Sequence, residues 1–289
     1  MLLNMKELLA VANEHYFAVP AFNVGTNIML RVVLECCEEK NAPVILAIHP
    51  LELAFQGESF LAQCVAAAHQ ARVAVTIHLD HGSQIEHIYH AIRLGFTSVM
   101  IDASYESFEK NVSICKKVVE VAHPLGVSVE GELGTVGSVG NDAEGGAEEI
   151  AYTKPSDAVR FVRETGVDTL AIAIGTAHGI YPKGLKPELK LDLLKEIKSK
   201  VSVPLVLHGG SANSDEEISE SVRLGINKIN ISSDTKDAFY QRLRLDLAAD
   251  PNVREPFEVY VGSVQAMRKV VFQKLELFGD VNRMKHYRL

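Results

Sequence analysis

The stretch VAVTIHLDHG at residues 73–82 combines the two features on which the interpretation of this 289-residue chain depends. Its first half is a short apolar run, typical of a parallel strand buried on both faces, and its second half places His78, Asp80 and His81 at the end of that strand. Similar runs recur and alternate with longer amphipathic stretches, which predicts repeated strand–helix units. The predicted strands are 19–24, 43–49, 73–81, 98–104, 128–134, 169–175, 204–209 and 228–232.

Helical periodicity occupies the segments between these strands. Eight strand–helix units in 289 residues match the length of a (β/α)8 TIM barrel, whereas a doubly wound sheet more often has about five to seven strands. We therefore expect an α/β protein with one barrel domain over residues 1–289 and extra C-terminal helices. The predicted helices include 29–40, 83–94, 108–122, 155–165, 191–200 and 214–224, followed by 234–249 and 264–278.

Composition excludes several classes of partner. The formal net charge is −8 and no long basic cluster occurs, so nucleic acid is not expected. No apolar run approaches the ~18 residues of a membrane-spanning helix, and Lys6 and Glu7 interrupt any signal-peptide core, so no membrane contact or export is expected. The four cysteines lack C-x-x-C spacing and are interpreted as buried apolar residues of a cytoplasmic protein.

Polar side chains collect where the predicted strands end, which is the face that carries the active site of a TIM barrel, while strand interiors are expected to be apolar. Histidines His81, His178 and His208 follow three different strands. Neutral imidazoles with an open fourth position form a catalytic zinc arrangement, although hydrogen-bonded structural histidines are the alternative. The other polar residues at strand ends include Asn23, His49, Asp80, Asp102, Glu130, Glu132 and Asn230.

The carboxylates and glycines at this face have their own interpretations. Asp80 directly precedes a candidate ligand and could exchange a proton with a substrate hydroxyl. Asp102, Glu130 and Glu132 could instead orient histidines or pair with lysines inside the barrel. Two turns, HGGS at 208–211 and NISSDT at 230–235, follow the last two strands, where barrels of this kind bind phosphate. The glycine-rich segment 135–152 is expected to lie over the active-site face, as a lid or as a disordered tip.

Seven segments together resemble the class II, zinc-dependent ketose-bisphosphate aldolases, in particular the tagatose-bisphosphate and the short fructose-bisphosphate aldolases. The resemblance runs in order from about residue 5 to 278. The segments are AFNV (21–24), HLDHG (78–82), SVMIDAS (98–104), VEGELGTVG (129–137), AIAIGTAHG (171–179), PLVLHGGS (204–211) and GINKINIS (225–232).

This resemblance implies a retro-aldol cleavage that releases dihydroxyacetone phosphate. It implies one Zn²⁺ per subunit on His81, His178 and His208, with Glu132 and Asp102 at an alternative metal position, and a proton exchange between Asp80 and the substrate C4 hydroxyl. A sugar phosphate is the expected partner, in a homodimer or homotetramer, with Na⁺ or K⁺ near the phosphate. The positions matched to the dihydroxyacetone-phosphate half are Gly179, Gly209, Gly210, Ser211, Asn230, Ile231, Ser232 and Ser233.

The chain departs from the family pattern at the distal half of the substrate. His49 stands where relatives usually carry a small hydroxyl residue, and Ser232 with Lys236 is closer to the tagatose type than to the fructose type. Arg268 could bind a second phosphate or form a surface salt bridge. The glutamate expected in the lid is absent, and its candidate replacements are Asp142, Glu144, Glu148 and Glu149.

Three alternatives remain at the level of sequence. A protein that binds a sugar phosphate without turnover would explain the missing lid glutamate. A zinc hydrolase lacks its H-x-H signature, because the first strand offers only Asn23. A Schiff-base aldolase is disfavoured, because Lys228 begins the last strand and is expected to point to the wrong face.

Overall fold

A closed ring of parallel strands forms the centre of the protein in this computed structural model, which describes residues 1–138, 151–178, 188–210 and 213–288. The strands are β1 (Val19–Asn23), β2 (Val44–Ile48), β3 (Val75–Gly82), β4 (Ser98–Ile101), β5 (Ser128–Leu133), β6 (Gly137–Ser138), β7 (Thr169–Ile172), β8 (Ala177–His178), β9 (Leu205–Leu207) and β10 (Ile226–Ile231). Around the ring, their order is β1, β10, β9, β7, β5, β4, β3 and β2. The two short strands β6 and β8 pair with each other, outside the ring.

Strand register closes the ring between its first and last members. Val19 of β1 lies opposite Lys228 of β10, and Ala21 lies opposite Ile45 of β2. Each of the eight ring strands overlaps a predicted strand, although β10 begins at Ile226 rather than at residue 228. The predicted TIM barrel with additional C-terminal helices is confirmed, whereas the assignment of residues 1–289 to one domain stays a prediction.

Helices surround the ring and bury one face against it. The two C-terminal helices α10 and α12 pack against each other, and α12 also packs on α2. No helix in the described ranges is both long and apolar enough to cross a membrane. The helices are α1 (Met5–His15), α2 (Asn27–Glu39), α3 (Pro50–Gln56), α4 (Glu58–Gln70), α5 (Ile85–Leu94), α6 (Phe108–Ala122), α7 (Pro155–Thr165), α8 (Leu191–Lys200), α9 (Asp215–Arg223), α10 (Ser233–Ala249), α11 (Pro256–Val259) and α12 (Val261–Leu277).

The first helix, α1, closes the amino-terminal end of the barrel. Its buried residues Met5, Leu8 and Leu9 pack in one cluster with residues of the neighbouring strands, including Val19 and Ala74 near the strand starts. The backbone before it is tied to the sheet, since the N–H of Leu3 donates to a carbonyl of β3. This helix covers the end of the barrel opposite the face where polar side chains collect.

Candidate functional site

Two histidines from different strands meet at the open face of the barrel. A ring nitrogen of His81, near the end of β3, lies 2.9 Å from a ring nitrogen of His208, which follows β9. Strict alternation along a strand would point His81 away from the side of Asp80. The backbone of His81 is left-handed instead (φ 50°), and the pairing of β3 with β4 shifts between Leu79 and Gly82. This irregularity allows His81 and Asp80 to share one side of the strand.

Two overlapping groups of potential metal ligands share His81. One joins it to Asp80 and His208, the other joins it to Asp102 and Glu132, and the ligand atoms in each group lie within 4.8 Å of one another. Imidazole nitrogens and carboxylate oxygens are the ligands that Zn²⁺ takes. One oxygen of Glu132, Oε2, is buried without a hydrogen-bond partner in the described chain, and burial together with Asp102 raises the pKa of Glu132 well above its usual range. A cation would relieve both conditions, so these donors fit a zinc ion.

Each of the two histidines is held by a carboxylate. Oδ2 of Asp102 lies 3.1 Å from Nδ1 of His81, and Oε1 of Glu130 lies 2.9 Å from Nε2 of His208. The hydroxyl of Ser104 donates to the other oxygen of Asp102 at 2.7 Å. Contacts of this kind fix the orientation of imidazoles that bind a metal. Asp102, predicted as a metal ligand, is therefore also placed to orient His81.

Asp80 is a fully buried carboxylate between two amides. The side-chain N–H groups of Asn23 in β1 and Asn230 in β10 each donate to one of its oxygens at 2.9 Å. Burial opposes ionisation, but the nearby His81 and His208 hold the pKa of Asp80 well below its usual range. The amide oxygens of both asparagines are buried and have no hydrogen-bond partner among the described residues. The cluster can therefore accept hydrogen bonds from ligand hydroxyls.

A charged layer lies inside the barrel beneath this cluster. The ammonium of Lys228 donates to both oxygens of Glu130, at 2.8 and 3.0 Å, and lies 3.4 Å from a ring nitrogen of His78. All three side chains are fully buried. The expectation of purely apolar strand interiors is wrong here, because the opposite charges of Glu130 and Lys228 compensate each other. The expected orientation of Lys228 is also wrong, since its long side chain reaches inward to a carboxylate that contacts His208.

The glycine turn after β9 has the backbone that an anion-binding loop requires. Gly209 has a left-handed backbone (φ 68°), and a Cβ at Gly210 would lie 2.6 Å from a methyl carbon of Ile229. Ser232, on the adjacent β10–α10 connection, has a buried hydroxyl without a hydrogen-bond partner in the described part of the chain. Backbone N–H groups of such a turn and of a helix start can bind phosphate.

A second group of polar side chains lies between β2 and α10. His49 caps α3, where its Nδ1 accepts from the N–H of Leu51 at 3.1 Å. Glu52 completes a capping box by accepting from the N–H of His49, and its other oxygen lies 2.7 Å from the ammonium of Lys236. Sequence reasoning missed Glu52, although a glutamate three residues after a helix cap, with Pro50 between them, is a recognisable capping signal.

The remaining predicted positions lie in three different settings. The side chain of Ile231 packs in the core, so only its backbone is available to a ligand, and Ser233 is the first residue of α10. Arg268 on α12 pairs with Glu35 at 3.4 Å and Glu39 at 2.6 Å, apart from the residues around Asp80, so its predicted contact with a substrate stays a prediction. Outside the described residues lie Gly179, Ser211, the side chain of His178, and the lid candidates Asp142, Glu144, Glu148 and Glu149.

Comparison with known proteins gives one consistent family. The family model of the class II fructose-bisphosphate aldolases matches residues 3–283. The fructose-bisphosphate aldolase of Thermus caldophilus is 38% identical, over 98% of this chain and 100% of that protein. The crystal structure of the YdjI aldolase from Escherichia coli K12 superposes with a TM-score of 0.84 at 33% identity, over 98% of this chain and 100% of that one. The crystal structure of a fructose-bisphosphate aldolase from Campylobacter jejuni superposes with a TM-score of 0.79 at 25% identity, over 98% of this chain and 97% of that one.

Proposed function

The chain belongs to the class II fructose-bisphosphate aldolase family, and from that membership we propose a reversible, zinc-dependent cleavage of a ketose 1-phosphate or 1,6-bisphosphate. The products are dihydroxyacetone phosphate and an aldehyde, and the tagatose configuration is favoured over the fructose configuration. The family makes the chain an aldolase, a carbon–carbon lyase. The observation that supports this reaction best is the buried carboxylate of Asp80, held by Asn23 and Asn230 next to His81.

The metal of this family is zinc, and the proposal assigns one ion per subunit to His81, His178 and His208. Glu132 and Asp102 would hold it at an alternative position, consistent with their place in the second group of ligands around His81. When bound, zinc acts as a Lewis acid that stabilises negative charge on the oxygen at C2 of the substrate. A monovalent cation, Na⁺ or K⁺, near the phosphate is part of the same proposal.

Asp80 is proposed to take the proton from the C4 hydroxyl of the substrate. Its low pKa keeps it ionised, and its two amide partners fix both of its oxygens in place. As the C4–O bond becomes a carbonyl, the C3–C4 bond breaks and its electron pair stays on the three-carbon fragment. An acid from the predicted lid then returns a proton to C3, with Asp142, Glu144, Glu148 and Glu149 as the candidates.

The phosphate of the three-carbon fragment is proposed to bind at the turns after β9 and β10. The left-handed Gly209 and the tightly packed Gly210 support this position, as does the buried hydroxyl of Ser232 without a partner in the described chain. The proposal also includes Gly179, Ser211 and Asn230, with Ile231 and Ser233 contributing backbone groups. His49 and Lys236 lie in the sector of β2, β1 and β10, which adjoins Asp80 on β3, and would contact the aldehyde half.

The first experiment measures dihydroxyacetone phosphate release in a coupled assay. The substrates are tagatose 1,6-bisphosphate, fructose 1,6-bisphosphate and their 1-phosphates, each with a chelator and with added zinc. We expect release that the chelator abolishes and zinc restores, and His208→Ala should lose zinc and cleavage together. An active, metal-free His208→Ala variant would contradict the zinc mechanism. Tight binding of these compounds without any turnover would favour a sugar-phosphate-binding protein instead.

A further inference from the structure

An ion pair bridges two loops at the mouth of the site. Lys236 lies in the first turn of α10, and its ammonium is 2.7 Å from Oε1 of Glu52 in α3. The pair also covers the end of β1, because Glu52 Oε1 would lie 3.0 Å from a Cβ placed on Gly25. It therefore occupies the sector of the barrel formed by β10, β1 and β2.

The carboxylate of this pair is fixed in place. Oε2 of Glu52 accepts from the backbone N–H of His49, as part of the capping box of α3. Only 15% of the Glu52 side chain and 27% of the Lys236 side chain are exposed. Gln56 adds a second tie between α3 and the end of β1, by donating to the carbonyl of Gly25. The negative charge of Glu52 is thus held at the first turn of α3 by the capping box.

The pair faces the same opening as the catalytic carboxylate. Glu52 accepts from the N–H of His49 directly after β2, and β2 pairs with β3, the strand that carries Asp80. The proposed phosphate turn at Gly209 follows β9, on the other side of β10 from this sector. A substrate with its C1 phosphate at that turn and its C4 hydroxyl at Asp80 would run alongside this sector, because β2 adjoins β3, so Glu52 and Lys236 would be its neighbours.

We propose that the Glu52–Lys236 pair selects a ketose 1-phosphate whose distal end carries a hydroxyl group and no phosphate. This inference rests on the proposed aldolase function and specifies its substrate class. A distal phosphate dianion would meet the Glu52 carboxylate, and the charge of Lys236 is already compensated. A hydroxyl group can donate to the carboxylate and accept from the ammonium, so both partners keep a hydrogen bond.

The test compares tagatose 1-phosphate with tagatose 1,6-bisphosphate, which differ only in the distal phosphate. Wild type should have the higher kcat/KM for the 1-phosphate. Glu52→Gln keeps the acceptor for the N–H of His49 and removes the charge, so it should shift the ratio toward the bisphosphate by roughly tenfold, mainly through KM. The double variant Glu52→Gln/Lys236→Met should lose this shift, because the released ammonium is what attracts the second phosphate.

Glu276→Gln is the matched control, since it removes one negative charge from another lysine–glutamate pair, Lys40–Glu276 at 3.4 Å, outside the site. Its substrate ratio should equal that of wild type. The inference is wrong if wild type prefers the bisphosphate, if Glu52→Gln leaves the ratio unchanged, or if the double variant keeps the shift. Absence of cleavage with every ketose phosphate would instead refute the proposed aldolase function, and the inference with it.

Discussion

Two lysine–glutamate pairs of nearly equal length have their lysines on β10 and in the helix that follows it, one pair beneath the site and one at its mouth. Lys228 and Glu130 are 2.8 Å apart, and neither side chain has any exposed surface. Lys236 and Glu52 are 2.7 Å apart, with 27% and 15% of their side chains exposed. The distances are alike, so burial is what separates the two pairs.

Burial changes what each pair can do. In the interior, loss of one partner leaves an uncompensated charge, and the remaining group cannot recruit water. At the mouth, a partner that loses its ion pair can still recruit water or a ligand, and the pair adds little to stability. The inner pair therefore supports the fold and the position of His208, whereas the outer pair is available for contact with substrate.

Breaking the inner pair should have the largest effect. Lys228→Met keeps the length of the side chain and strands the charge of Glu130, so we expect the free energy of unfolding to fall by about 3–5 kcal/mol. Urea unfolding followed by circular dichroism measures this change. If the free energy of unfolding fell by less than about 1 kcal/mol, as expected for an exposed pair, the inner and outer pairs would be equivalent in their effect on stability.

Asp80 sharpens the contrast, because it is as buried as Glu130 but its hydrogen-bond partners are neutral amides. We expect a buried carboxylate with neutral partners to act in proton transfer. Asp80→Ala should keep its zinc and lose about 10²- to 10⁴-fold in cleavage, the contribution typical of a positioned acid–base group. Metal analysis and the coupled assay measure both quantities on one preparation. Wild-type turnover in this variant would assign the base to another residue.

Much of the barrel could be predicted because its strands are short apolar runs that alternate with helical periodicity. The helix α1 was missed, although the spacing of Met5, Leu8, Leu9 and Ala12 is that of an amphipathic helix. What the sequence could not show is the surface this helix covers. That depends on the strand starts, which come together only when the ring closes.

The site was predictable where its residues directly follow strands. It was less predictable where the position of a side chain depends on how the strands pair or on a contact across the barrel. Asp80 and His81 are adjacent, but their common orientation depends on a left-handed backbone that the residue types do not require. The contact of Lys228 with Glu130 joins residues 98 positions apart on strands that are not neighbours in the ring. No local pattern encodes a contact of that kind.

Asp102 and His81 form a pair of intermediate burial, with 11% and 5% of their side chains exposed. If Asp102 orients a metal ligand, Asp102→Asn should weaken zinc binding by about 10- to 100-fold. Competition with a chromophoric chelator measures this affinity without reference to turnover. Asp168→Asn is the control, because Asp168 also holds a histidine, His123, at 2.8 Å, outside both ligand groups. Equal losses in the two variants would mean a general effect on stability.

The smallest effect is expected at the mouth of the site. Lys236→Met removes the ammonium but leaves Glu52 with the N–H of His49 and access to water, so the free energy of unfolding should change by only about 0–1 kcal/mol. Lys40→Met, which breaks the exposed pair with Glu276, is the control and should behave alike under the same urea titration. A loss for Lys236→Met as large as that for Lys228→Met would make the outer pair a structural element. A small loss of unfolding free energy would mean that the Glu52–Lys236 pair is not needed for stability. Contact with substrate would then be the better explanation for its low exposure and fixed carboxylate.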